Sequence, residues 1–181
     1  SVDYRKNHGV ALASFDDASR TNLLMLEASQ QLVYYHTELS TSQVSLNEFA
    51  YLSNIYRSQS FAIVDSFLML VGVTEWDSDN ARGVDYPNRL VWAAPNTLTD
   101  FSGVGSGTLD CPAPPGFGGI VDSRPVGHSI VLFFEGGIGR ADQIGDVDDP
   151  WGYSPVRQGV RLLSNPITVN DICYFIATEG R

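Results

Sequence analysis

Apolar residues in this chain fall in short clusters separated by Gly, Pro, Asn and Asp. That texture belongs to strands joined by turns rather than to long helices. Residues 9–15 read as a short strand, and Asp16, Asp17 and Ser19 mark the turn after it. The Leu-, Val- and Tyr-rich stretch 23–39 reads as two strands broken near Gln30, with a helix as the competing reading. Ser45-Leu46-Asn47-Glu48 is an S-x-x-E capping box, and Leu46, Phe49, Ala50, Ser53 and Tyr56 follow at helical spacing. One helix over about 46–58 is therefore expected.

Residues 60–76, SFAIVDSFLMLVGVTEW, are apolar on both faces, as in a central or bent strand buried on two sides. Asp65 interrupts them and should face a partner or an edge as a structural carboxylate. After Trp76 the texture changes to an acidic turn region at 77–86 and a short strand at 89–93. A long loop follows over 95–125, with GVGSG and CPAPPGFGG. SIVLFFE at 129–135 is the strongest strand, 136–154 a second loop, and 156–163 a modest strand. Residues 166–171 turn the chain into a final strand at 172–178. Seven to nine strands, one short helix and long loops describe a mainly β chain, a single jelly-roll or β-sandwich barrel. Phe61, Phe67, Leu68, Leu132, Phe134, Tyr174 and Ile176 are its expected core. Residues 1–8 read as a polar arm. With no repeat or linker, 1–181 is expected to be one domain.

Composition changes the picture in one respect. The chain carries 15 Asp against 6 Glu and 10 Arg against a single lysine, Lys6, for a net charge of −10. Such a surface suits high salt, where the Debye length is only ~3 Å at 1 M and self-repulsion is screened. Yet charged residues are only 18% of the chain, below the usual ~25%. Interface cores are depleted in charge, so this shortage fits a surface largely covered by neighbours. The net charge and the lack of basic runs argue against direct nucleic-acid binding. SVDYRKNHGV lacks the apolar region of a secretory signal, and no stretch reaches the ~20 apolar residues of a membrane helix.

Candidate chemistry adds little. GGIGR at 136–140 lacks the Gly-Lys-Ser/Thr of a phosphate loop and reads as a glycine-rich turn. Asp146, Asp148 and Asp149 lack EF-hand spacing, and they read, like Asp77, Asp79 and Asp85, as solvated acidic loops. His8, His36 and His128 show no metal-ligand spacing. His128 beside Ser129 makes no triad, and no G-x-S-x-G elbow is present. Two cysteines form no framework. Cys173 reads as a small buried hydrophobe, and Cys111, in LDCPAPPG, as the more accessible of the two. No catalytic, cofactor or metal site is assigned, and the chain is read as a non-enzyme.

In size, acidity and texture, notably SIVLFFEGGIGR and the closing ITVNDICYFIATEG, the chain resembles a virion protein family over residues 9–178. That family is the small major capsid proteins of tailless icosahedral, internal-membrane viruses of halophilic archaea. The resemblance implies a single upright β-barrel in the capsid shell, assembled in the host cytoplasm. Its implied partners are other copies of itself, a second and larger capsid protein, and the internal membrane or its proteins. Large aromatics on surface loops are costly to leave wet and recur as interface anchors. Trp151 and Tyr153 are accordingly expected to anchor subunit contacts, with Phe101, Phe117 and Cys111 as further interface residues. Two alternatives remain open. One is another virion part. The other is a cellular β-sandwich carbohydrate- or ligand-binding module or hydrolase of a halophile.

Overall fold

A computed structural model describes residues 10–13, 22–26, 32–36, 43–45, 55–145 and 150–179. Sixteen strands and no helix occur among them. Strands β1 (Val10–Ala13), β2 (Asn22–Leu26), β3 (Leu32–His36) and β4 (Gln43–Ser45) form an antiparallel meander in that order. Two further meanders follow. The first is β5 (Ile55–Val64), β6 (Phe67–Asp77), β7 (Arg82–Trp92) and β8 (Gly107–Asp110). The second is β9 (Ile120–Val126), β10 (Ser129–Phe134), β11 (Gly137–Gln143) and β12 (Trp151–Gln158). At the C-terminal end, β13 (Val160–Leu162) pairs with β16 (Ala177–Glu179), and β14 (Ile167–Val169) pairs with β15 (Ile172–Tyr174).

The two large meanders pack as a sandwich. Ala62, Val64, Phe67, Met69, Val71, Leu90 and Trp92 from one sheet meet Ile120, Ile130, Leu132, Phe134, Ala141 and Trp151 from the other. Both outer faces are apolar as well. Ile55, Phe61, Leu68, Leu70, Val73 and Val91 form a second cluster with Leu98 and Phe101, on the far side of the first sheet. Phe133, Ile138, Val160 and Leu162 form a third, beneath the small C-terminal sheets. This layering explains why β6 and β10 read as continuous apolar runs: alternate residues serve different cores.

A bulge keeps that division in step. Phe67, Met69 and Val71 point into the sandwich, while Leu68, Leu70 and Val73 point out. The register with β7 shifts between Val71 and Val73, so the extra residue Gly72 reverses the alternation. Gly72 has φ +61°, and a Cβ there would lie 3.0 Å from the Gln59 Cβ, so both conformation and space call for glycine.

Several expectations are corrected. Residues 55–58 do not end a helix: they belong to β5, and Ile55 pairs with Glu75 and Ser58 with Val73. Sheet pairing and the burial of Ile55 outweigh a weak local cap signal. The rest of the helix span, the arm at 1–8 and the acidic run at 146–149 lie outside the described residues.

The jelly-roll barrel is overturned too. In both large sheets consecutive strands are hairpin neighbours, whereas a jelly roll needs Greek-key crossings. No ladder joins β9 to β5 or β12 to β8, so both sheets are open. The loop at 136–154 contains the whole of β11, and the loop at 95–125 contains β8. Finally, Phe61, Phe67, Leu68, Leu132 and Phe134 are buried as expected, but Tyr174 is 53% and Ile176 65% exposed.

Candidate functional site

The structure gathers four of the five expected interface residues in one place, and that place is the core. Trp151, only 1% exposed, packs edge-on against Phe67 at 5.7 Å between ring centroids. Phe117 and Tyr153 flank Phe134 at 5.1 and 6.2 Å. Cys111 lies in the same cluster, held by its backbone N–H donating to the Asn88 carbonyl at 2.8 Å. The expectation of an accessible Cys111 is therefore corrected. Burial pushes its thiol up to about 12, so it stays protonated and unreactive at neutral pH. Burial pushes the Tyr153 phenol up to about 12 as well. Phe101 lies apart, against the outer cluster of the first sheet.

Glycines make room for these rings. A Cβ on Gly137 would sit 2.6 Å from the Phe117 ring. Of the glycines that made GGIGR look like a loop, Gly137 and Gly139 are thus strand residues lying over aromatic side chains, while Gly136 stays in the turn before β11.

Three polar clusters deserve chemical scrutiny. At one end of the sandwich three two-residue turns meet. Asp65, between β5 and β6, has φ +51° and holds His128 Nδ1 through both carboxylate oxygens, at 2.9 and 3.0 Å. His128 sits in the β9–β10 turn, where Gly127 N donates to Asp171 Oδ1 of the β14–β15 turn at 3.2 Å. The Asp65 hydrogen bond raises the His128 pKa, with its charge and that of Asp171 adding to the effect. A carboxylate on Nδ1 is half of a general-base pair. No hydroxyl or thiol among the described residues hydrogen-bonds the ring, however, and the His128 side chain is 83% exposed.

The second cluster stitches the sheets together. Ser60 Oγ of β5 donates to Asp122 Oδ1 of β9 at 3.1 Å and meets Ser123 Oγ at 2.9 Å. Ser123 N and Arg124 Nη1 also donate to Asp122 Oδ1. Arg124 Nε then reaches the Pro166 carbonyl at 2.6 Å, tying the C-terminal layer down. The Asp122 side chain is only 1% exposed, and its Oδ2 has no hydrogen-bond partner among the described residues. Desolvation raises its pKa, outweighing Arg124. A cavity of about 20 Å³ beside it, lined also by Glu135, Arg161 and Ser164, has room for one water.

The third is a groove of about 270 Å³ at the Gly72 bulge, lined by Arg57, Gln59, Thr74, Asp85 and Pro87 among others. Thr74 Oγ1 donates to Asp85 there at 2.6 Å. The groove falls just below the usual ~300–1,000 Å³ of ligand sites, and among the described residues no aromatic ring lines it. Among the described residues no group of three or more His, Cys, Asp or Glu is placed to hold a metal ion.

The feature that stands out is apolar. In the β14–β15 hairpin Ile167 pairs with Tyr174, Thr168 with Cys173, and Val169 with Ile172. Alternation turns Thr168 and Cys173 toward the sandwich and sets Ile167, Val169, Ile172 and Tyr174 together on the outer face. All four are more than half exposed, as are Leu163 and Ile176 beside them. Phe175 anchors the layer by an edge-on contact with Phe133 at 5.2 Å. Exposed Val104, Ile144 and Val156 lie singly on other loops and strands, as on any surface.

The signal for this face was in the sequence, as two alternating triplets, ITV and ICY, around Asn170-Asp171. Both turn residues have positive φ, 50° and 58°, the mark of a type I′ hairpin.

Comparison with known proteins finds no family model that matches the chain and no curated protein similar to it. The resemblance to the small major capsid proteins of archaeal viruses is accordingly corrected: it implied one closed upright barrel, and the described strands form open meanders instead.

Proposed function

We propose that this chain is a subunit of a larger protein assembly and works by apolar association rather than by catalysis. One observation carries the reading: the outer face of the β14–β15 hairpin presents Ile167, Val169, Ile172 and Tyr174 to solvent side by side. A contiguous apolar patch on a soluble surface is the usual mark of a docking site. The chemistry elsewhere points the same way. Both cysteine thiols are raised by burial, and the Asp65–His128 pair stands on an exposed turn away from the polar groove.

The test is native size. Chain recovered from its source should sediment in a particle heavier than one 19.8 kDa chain, and Ile172→Glu should release it with its melting temperature unchanged. Native chain sedimenting alone, or the variant still assembling, refutes the proposal.

A further inference from the structure

We infer that the partner on this face is a second copy of the same chain, packed hairpin to hairpin about a two-fold axis. The inference rests on the proposed association through β14–β15 and names its occupant.

Area is the first argument. Leu163, Ile167, Val169, Ile172, Tyr174 and Ile176 are each 52–65% exposed. They make the apolar core of a contact; a standard interface takes ~800 Å² and roughly 20–30 residues from each partner, so the residues around them supply its polar rim.

Charge is the second. The chain carries −10, and a second copy is repelled over most of its surface. Residues 163–177 hold a single charged residue, Asp171, at the hairpin tip. Like copies therefore approach at least cost through this face.

Shape is the third. Alternate β-branched side chains on a short hairpin make an even surface that can pack sheet-on-sheet at ~10 Å. A two-fold axis through the hairpin makes the contact self-complementary. With the two hairpins antiparallel, the Asp171 carboxylates lie at opposite ends of the interface.

The experiment uses the full chain alone, by sedimentation velocity from 1 to 100 µM. The expected result is a species of twice 19.8 kDa. Ile172→Glu and Ile172→Lys should each weaken self-association at least 100-fold. Mixing the two should restore the dimer in part, because the mixed pair carries opposite charges in the interface where each variant alone carries like ones. Tyr174→Ser, a milder change that keeps the variant set readable should the charged variants misfold, should weaken it about tenfold. Three outcomes overturn the inference: a monomeric wild-type chain at 100 µM, a dimer indifferent to all three variants, or no recovery on mixing two folded charge variants. A monomeric wild-type chain whose Ile172→Glu form still drops out of the native particle leaves the assembly proposal standing and assigns the face to a different protein.

Discussion

Strands β10 and β15 are written in nearly the same alphabet, and the sequence assigns both to the core. SIVLFF ends with Ile130, Leu132, Phe133 and Phe134 all buried, whereas ICY leaves Ile172 and Tyr174 more than half open. The difference lies in what each strand has on its two faces. Strand β10 is central in its sheet, between β9 and β11, with the sandwich below and the C-terminal layer above. Strand β15 belongs to that last layer, and among the described residues only its Cys173 face has a neighbour. An apolar run states that a strand can be covered on both sides; whether it is depends on how many layers the chain stacks.

The comparison breaks most directly by truncation. Phe134→Ala should cost about 3–5 kcal/mol, because it empties a site enclosed by Phe117 and Tyr153. Tyr174→Ala, measured under conditions where the chain is monomeric, should stay within about 0.5 kcal/mol. Equal costs in chemical denaturation would mean that β15 is covered within one chain.

Next comes the tie between the layers. Arg124→Met removes the countercharge of a buried carboxylate and the bond to Pro166, and should cost about 3 kcal/mol at pH 7. Its pH dependence has a definite sign. The folded-state pKa of Asp122 lies above 3.8, so the folded chain holds that proton more tightly than the unfolded one. The stability it contributes is complete below pH 3.8 and is lost as pH rises through the folded value. Arg124→Met should deepen that loss, and a flat difference between variant and wild type from pH 3.5 to 7 would contradict the account.

A smaller effect sharpens the packing of the covered layer. Gly137→Ala drives a methyl into the Phe117 ring and should cost about 1–3 kcal/mol, read from the urea midpoint. The smallest concerns the exposed turns. His128 should titrate above 6.5 by NMR, and Asp65→Asn should bring it back toward 6.5. Its folded pKa is raised, so any stability it adds is present below pH 6.5 and fades as pH rises through the folded value. An unmoved titration would remove Asp65 as the cause.

The turns were partly legible and partly hidden. Asp65 was read as a residue that faces a partner or an edge, and it meets His128. That partner lies 63 residues away, a distance no local pattern spans. Strand β11 was read as a loop because glycine is a breaker in isolation. Its glycines are set by Phe117, from the segment between β8 and β9, and by Tyr153 of β12 pressing on them, which is information local composition does not carry. The loop aromatics were noticed for the right reason, their cost when wet, but the sheets bend them inward.

Taken alone, the sequence determined the β character of the chain and the core role of 60–70 and 129–134, and it left 23–39 open between two strands and a helix. These follow from alternation, turn residues and spacing, which are local properties. Tertiary structure decided that consecutive strands stay as meanders, that the sheets remain open, that residues 55–58 extend rather than coil, and that the last apolar hairpin faces outward. Each of these depends on which surfaces meet at long range, and burial is a property of the pair of surfaces, not of the strand that carries one of them.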